Sequence, residues 1–532
     1  MSLARNYRLS RDRALTVSNL TDKILEARGD GEISVEKGRP RRLLELHREI
    51  CSIHAFLLSA GLRAGERVAV YRTNDPLCFR WFLAIIRAGG IAVPLNPQLS
   101  LPEVRTILAR SGTRILVTDR AVFDAAIQHR SALDVDTWIQ ADDEPATLDG
   151  FLRVPASSET PPPASVEPGA TVAIFHTSGT SGFPKGAALS SRALLGARSV
   201  SVLVGPLLGS RDLALVALPW SHVMAVSIAL YGLLAGIRGC FLERFDAAAA
   251  LELVERHRVT AFVGVPAMFA RLVNSRPDPR RLASVRLWLS ASDHLPSTVR
   301  AGLRGFGALR RLPFGLRIPP LLLNGYGMVE LGGLAMLGVE SMLFPGSGDL
   351  CFPVPPHRIR IAGDDGRPLP RGAVGELQVF RPGLAAGYWG DAARNESLLT
   401  PDGWLRTGDS AVRNILGLIR LVGRTKEVIK SGGYSVYVRE LEETISAHPA
   451  VARAAGFGLP HAEKGEIPAA AVELHSGAQA AEDDLLAFCR QSLAPYKAPR
   501  RIWILEPGGL PQNHTGKTLR RVLRERYSAE AL

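Results

Sequence analysis

Residues 170–186 read ATVAIFHTSGTSGFPKG, an apolar run that passes directly into a loop of glycines, hydroxyls and one lysine. No other segment constrains the fold as much, because its two halves make different demands. The apolar half must be buried, as the strands of α/β sheets are. In the loop, Gly179 and Gly182 let backbone N–H groups approach an anion closely. Thr177, Ser178, Thr180 and Ser181 add hydroxyl donors, and Lys185 adds a positive charge. The spacing is not the Walker pattern GxxxxGK[ST]. An exposed Ser/Thr/Gly linker has the same composition, but such a linker seldom follows a buried strand directly or carries a lone lysine. Lysine is scarce here, eight against fifty-six arginines, so its place in this loop is informative. The segment predicts a phosphate-binding loop at the end of a strand.

The flanking sequence supplies the sheet. Residues 41–62 place Leu43, Leu44, Ile50, Ile53, Leu57 and Leu58 at helical spacings, with Gly61 as the stop. RVAVY at 67–71, IAVPLNP at 91–97 and TRILVT at 113–118 read as strands, and 79–87 reads as a helix between the first two. This alternation predicts an α/β fold on a largely parallel sheet. Residues 155–168, rich in Pro and Ser, read as an exposed connector. From 358 to 379 the pattern changes to short strands and turns, which predicts a β-rich subdomain. Beyond it, AAGFGL, AAAVEL and RIWIL read as strands, and RELEETISAH and DDLLAFCRQSL as helices. A chain of 532 residues is too long for one core, since cores stop growing at roughly 250–300 residues. The expected division is a large domain over 1–424 and a small α/β domain over 425–532.

The formal net charge of +13 favours anionic partners such as nucleotides, CoA phosphates or a membrane surface. Nucleic acid is not expected, because no basic run is interleaved with aromatics. The five cysteines are scattered and lack CxxC spacing, which argues against a disulfide framework or zinc site and fits a reducing cytoplasm. MSLARNYRLSRDRAL has no apolar core of the signal-peptide kind. The most apolar stretch, 223–237, is too short for a bilayer and reads as a buried helix. Residues 303–320, LRGFGALRRLPFGLRIPP, alternate arginine with apolar side chains. Their bland reading is a solvated helix–loop with a packed underside. Their sharper reading is a peripheral contact with an anionic membrane face.

Further motifs follow the phosphate loop in order: Leu218-Pro219-Trp220-Ser221-His222, Asn324-Gly325-Tyr326-Gly327-Met328-Val329-Glu330, Gly403-Trp404-Leu405-Arg406-Thr407-Gly408-Asp409, the stretch from Gly423 to Tyr434, and Pro511-Gln512-Asn513-His514-Thr515-Gly516-Lys517. Over about residues 40–525 the chain resembles the adenylate-forming superfamily of acyl-CoA synthetases, aryl-CoA ligases, luciferases and peptide-synthetase adenylation domains. The resemblance implies that the loop 177–186 folds over the β- and γ-phosphates of ATP. It places His222 beside the acyl pocket, Tyr326 near adenine within the ATP-binding element of Asn324, Gly325 and Gly327, and Glu330 on Mg²⁺, a hard cation that takes oxygen ligands. It puts Asp409 and Arg424 on the ribose and Lys430 near the phosphates. Lys426 becomes the pivot between domains. Gly432 and Gly433 leave room for the pantetheine arm of CoA. Lys517 bridges the carboxylate and the α-phosphate, where its ammonium offsets the charge that builds as two anions meet.

Several positions depart from the family pattern. Val329 replaces a threonine whose hydroxyl would donate one hydrogen bond, worth roughly 0.5–1.5 kcal/mol. Asp293 stands in a loop of small residues, Gln512 replaces an arginine, Val438 replaces a proline, and an acidic turn is replaced by the segment 412–417, which reads as a hairpin.

The resemblance implies two half-reactions, acyl-AMP formation with release of pyrophosphate and then transfer to CoA, joined by rotation of the small domain about Lys426. The aliphatic region after Leu213 favours a fatty or other hydrophobic acid, although core packing explains the same pattern. A ligase that hands the acyl group to a separate carrier protein is the first alternative. A catalytically degenerate nucleotide-binding protein is the second. Monomer and homodimer both fit.

Overall fold

The computed structural model describes residues 2–126, 130–141, 150–154, 159–177, 185–311, 313, 316–344, 347–384, 387–431, 434–461, 463–512 and 518–528. Among them, an eight-stranded sheet runs in the order Gly387–Tyr388, Lys185–Ser190, Thr171–Thr177, Ile91–Pro94, Arg67–Val70, Ile115–Thr118, Thr137–Gln140, Leu152–Arg153. Its first two pairings are antiparallel and the rest parallel. The parallel part is covered on both faces. Val68 and Val70 pack with Phe82 and Ile85, while Ala69 and Tyr71 pack with Val104 and Ile107.

The covering helices start and stop where local chemistry directs. Helix Pro76–Arg87 opens with proline in its first turn and the Asp75 carboxylate accepting from the Leu77 N–H at 2.8 Å. Helix Leu101–Ser111 opens at Ser100, whose N–H donates to Glu103 at 2.8 Å, and closes on Gly112 at φ 61°.

A thirteen-stranded sheet, counted among the described residues, carries the other half of the large domain. Its parallel centre is Arg238–Phe241, Leu213–Val216, Ala261–Gly264, Leu287–Ala291 and Leu321–Met328. From Leu321–Met328 outward the added strands are antiparallel. The β-rich stretch expected as a separate subdomain is thus the outer part of the same sheet. The pairing of Leu350 with Arg420 and Cys351 with Ile419 joins the two parts.

Helix Val223–Ala235 lies between the two sheets. Its Val226 and Leu230 share one core with Val70 of the first sheet and Val216 and Val263 of the second. A helix buried on all sides must be apolar all round, which explains the uninterrupted hydrophobic stretch. Among the described residues no helix is long and apolar enough to cross a membrane.

The segment 303–320 differs from the helix–loop reading. Helix Ser297–Gly305 stops, and Arg310–Arg311 pairs with Arg317–Ile318 as a short hairpin. Gly307 makes the break: its φ is 72°, and a Cβ there would stand 2.1 Å from the Val285 carbonyl.

The chain leaves the large sheet at the end of strand Ile419–Arg424 and enters a five-stranded sheet at Ile429–Ser431. That smaller sheet, with helices Val438–Ser446, Glu482–Ser492 and Arg520–Ser528, forms a small C-terminal α/β unit with its own cores around Val472 and Phe457.

Candidate active site

Three motifs far apart in sequence meet where the large sheet changes from parallel to antiparallel. Strand Leu321–Met328 brings Tyr326 to this point, and glycines flank it because space is short. A Cβ on Gly327 would stand 2.1 Å from the Gly333 carbonyl. The Tyr326 hydroxyl donates to Asp409 Oδ2 at 2.6 Å, and Arg424 Nε lies 3.0 Å from Asp409 Oδ1. Asp409 and Arg424 are register partners on neighbouring antiparallel strands, so the backbone ladder itself sets them side by side. Burial and the adjacent carboxylate push the Tyr326 phenol well above its ordinary value, so it stays a donor. Asp409 outweighs burial to hold the Arg424 guanidinium more firmly charged.

Glu330 follows in the short turn Val329–Leu331 and is 7% exposed. The Tyr388 hydroxyl donates to Glu330 Oε1 at 2.5 Å, and Lys185 Nζ stands 5.7 Å from the centre of the Tyr388 ring. The pairing of Gly387–Tyr388 with Lys185–Ser190 brings Tyr388 beside Lys185. Burial first, then Glu330, raises the Tyr388 phenol far above its ordinary value. Arg381, 3% exposed, braces the turn from below by donating to the Leu331 and Ala193 carbonyls, each at 3.1 Å.

His222 starts the helix between the sheets. Its Nδ1 accepts from the Met224 N–H at 3.2 Å, which makes Nε2 the proton-bearing nitrogen of the neutral ring. Next to it, Trp220 stacks on Phe79 with centroids 5.0 Å apart and meets Phe241 at a tilt, 4.9 Å away.

These groups line one cavity of about 1410 Å³. Its polar lining includes Lys185, His222, Tyr326, Glu330, Asp409 and Arg424, and its apolar lining Val204, Leu208, Val216, Trp220, Ile228 and Phe241. Single small-molecule sites occupy roughly 300–1,000 Å³, so this space suits a nucleotide and an apolar group together. A hard cation held chiefly by phosphate oxygens needs only one or two protein carboxylates. Glu330 is buried, oriented by Tyr388 and faces this cavity, so the residues present fit Mg²⁺.

Other expected site residues stand apart. Lys430 is exposed, donates to Ser435 Oγ at 2.9 Å, and does not line the cavity. Thr177 closes its strand, and Lys426 lies in the turn Thr425–Glu427; the side chains of both lie outside the described residues, as do Ser178, Gly179, Thr180, Ser181, Gly182, Gly432, Gly433 and Lys517. Near Lys517, Arg520 is described. It pairs with Glu427 at 3.0 Å and Glu442 at 2.9 Å, and these partners outweigh burial to raise its pKa. Asp293, which had no account in the sequence, is exposed on the large domain and close enough to act electrostatically on Arg520 and Glu442 of the small one.

Sequence reasoning missed Tyr388, Arg381 and His176. The only signal for Tyr388 was an aromatic pair, Tyr388-Trp389, after a Pro-Gly turn. His176 also lines the cavity, and burial pushes it down to about 4, so it adds no charge beside the phosphate loop.

A model of the AMP-binding enzyme family matches residues 43–389, and one of the AMP-binding enzyme C-terminal domain matches 440–517. A feruloyl-CoA synthase from Amycolatopsis sp is 32% identical over 491 residues, covering 91% of this chain and 93% of the relative. A fatty acid–[acyl-carrier-protein] ligase, ScoC, from Streptomyces coeruleorubidus is 30% identical over 513 residues, covering 92% of each chain. The crystal structure of ATP-bound MatB from Rhodopseudomonas palustris matches with a TM-score of 0.84 at 27% identity, covering 97% of this chain and 100% of that one. With its motifs gathered around one cavity and both family models matched in order, the chain belongs to the AMP-binding enzymes, the adenylate-forming ligases.

Proposed function

We propose that this ligase activates a hydrophobic carboxylic acid as its acyl-AMP and transfers the acyl group to CoA. The observation that carries the reading is the mixed lining of one cavity, which Asp409, Arg424, Tyr326 and Glu330 share with aliphatic and aromatic side chains. Asp409 accepts from the ribose hydroxyls of ATP while Arg424 and Tyr326 hold its carboxylate in place. Glu330 would hold Mg²⁺, which would neutralise charge on the phosphates. His222 lines the same cavity and lies beside the reacting carboxylate. Lys517 offsets the charge of the attacking carboxylate and α-phosphate. Lys426 is the pivot of the small-domain rotation, Lys430 follows the phosphates when that domain moves, and Gly432 and Gly433 admit the pantetheine arm. The domain boundary of this scheme is 424/425.

Pyrophosphate release across a panel of aliphatic and aromatic acids, with and without CoA, tests the reading. CoA-stimulated turnover with apolar acids supports it, and a preference for small charged acids contradicts it. The similarity to a fatty acid–[acyl-carrier-protein] ligase favours a second reading, with a carrier protein as acceptor. Release that ignores CoA, with acyl transfer to a phosphopantetheinylated carrier, is its signature.

A further inference from the structure

The parallel centre of the large sheet has two ends. The C-terminal ends of its strands face the cavity. The other end is marked by register: Leu213 pairs with Arg238, Ala261 with Leu287, Leu287 with Leu321, and Leu322 with Glu340. The segments just before these strands and just after Glu340 therefore form one rim, at the opposite end of the strands from Asp409.

That rim has an unusual surface. Met342, Leu343 and Phe344 are consecutive and are 54%, 77% and 67% exposed; Leu316, in the hairpin beside them, is 63% exposed. Isolated exposed apolar residues are ordinary, but four large ones in adjoining loops are not. Arginines share the rim. Arg211, Arg258 and Arg310 are exposed and have no acidic partner among the described residues. Arg317 is exposed too and donates to the Gly305 and Gly307 carbonyls at 2.8 and 2.9 Å, which fixes the hairpin. The acidic groups at this end are largely engaged: Asp212 by Arg286, Glu255 by Arg281, and buried Glu340 by Arg300 and Arg304.

We propose that this rim docks on an anionic lipid bilayer. Apolar side chains at loop tips, on a rim that also carries exposed Arg211, Arg258, Arg310 and Arg317, match an interface whose headgroups are negative and whose interior is hydrocarbon. A protein partner would match only if it had the same layered chemistry, and the charge complementarity favours the bilayer. The inference stands on surface chemistry alone and is independent of which acid the cavity takes.

Co-sedimentation of the full chain with vesicles of phosphatidylcholine, and of phosphatidylcholine mixed equally with phosphatidylglycerol, tests it. Binding to the mixed vesicles alone, weakening as salt rises, is expected. Leu343→Asp with Phe344→Asp should reduce the bound fraction by about tenfold or more, because those side chains no longer leave water. Arg211→Glu with Arg258→Glu should reduce it without touching the loops. Both pairs are exposed, and retained pyrophosphate release shows that each variant is folded. Equal binding to both vesicle types, or no loss in the double variants, overturns the proposal. So does a dimer that Leu343→Asp dissolves in the absence of vesicle binding, which assigns the rim to a second copy of the chain.

Discussion

His294 of the large domain and Glu443 of the small domain meet at 3.0 Å across the boundary between them. The same imidazole lies 3.5 Å from Asp349, and Arg439 of the small domain reaches Asp349 at 3.2 Å. Burial and the nearby Arg439 oppose protonation of His294, but its two carboxylate partners outweigh them and raise its pKa. The same contacts hold Asp349 well below the carboxylate range and bring Glu443 down to about 2, against the burial of each.

A pH window for domain docking follows from these directions. The raised histidine contributes fully below its ordinary value of about 6.5, and its contribution is lost as pH rises through the raised value. The depressed carboxylates contribute above their ordinary values of about 4 and lose this as pH falls through the depressed ones. Arg439 and Arg300, which also face Asp349, stay charged throughout. Docking in this arrangement is therefore firmest from about pH 4.5 to 6.5 and loosens above. Hydrogen exchange in helix Val438–Ser446, corrected for intrinsic rates, should show protection falling about two- to fivefold on the alkaline side, the scale of a part-exposed pair. His294→Gln should flatten that limb. An unchanged profile in the variant removes His294 from the contact.

Tyr388 gives a prediction about the metal. Its hydroxyl is the donor that orients Glu330. Removing an outer partner of a metal ligand typically costs about 10–100-fold in metal affinity. Tyr388→Phe should therefore raise the Mg²⁺ concentration needed for half-maximal pyrophosphate release by about tenfold. The effect at saturating Mg²⁺ should be smaller, because the carboxylate itself remains. A uniform fall in rate with no shift in the Mg²⁺ dependence would place Tyr388 elsewhere in the reaction.

How much of this was readable in the sequence depends on the range of the contact involved. His222, the run from Asn324 to Glu330 and Asp409 were legible as local motifs, and their side chains line one cavity; the loop 178–184 lies outside the described residues. The strand at 67–71 and the helix at 79–87 were equally plain, because each is patterned over a single turn or pleat. Tyr388 and Glu330 are 58 positions apart, and their meeting depends on a two-residue strand that no periodicity reveals. The joining of 350–353 to 419–424 was hidden for the same reason: pairing between distant strands is set by the whole sheet, not by either strand alone. Segment 303–320 misled because its arginine–apolar alternation fits a helix face, and only Gly307 with its positive φ turns it into a hairpin.

Val329 occupies the turn that carries Glu330 and packs against the main core. A threonine there is nearly the same size and adds a hydroxyl at a position that lines the cavity. Val329→Thr should speed acyl-AMP formation by about two- to tenfold, the equivalent of one hydrogen bond of roughly 0.5–1.5 kcal/mol. Single-turnover measurement of the adenylate isolates this step from thioester formation. If the first step is unchanged, the missing hydroxyl has been replaced by another donor in this chain.

In the proposed scheme Lys517 divides the two half-reactions. Arg520, three residues further on, ties the start of helix Arg520–Ser528 to Glu442 and Glu427 of the small domain. The lysine is needed where carboxylate and α-phosphate meet, and not where a thiol attacks a finished acyl-AMP. Lys517→Ala should lower adenylation by about 100-fold or more, the scale seen when one charge-stabilising group is removed. Conversion of supplied acyl-AMP and CoA to the thioester should fall less than about threefold, since that step brings no second anion to the α-phosphate. Arg520→Ala should behave differently: Arg520 joins Glu427, next to the hinge, to Glu442, so its loss loosens the small domain that both half-reactions use, and both rates should drop together. Equal loss of both half-reactions in Lys517→Ala would remove the lysine from the adenylation step and leave it only an anchoring role like that of Arg520.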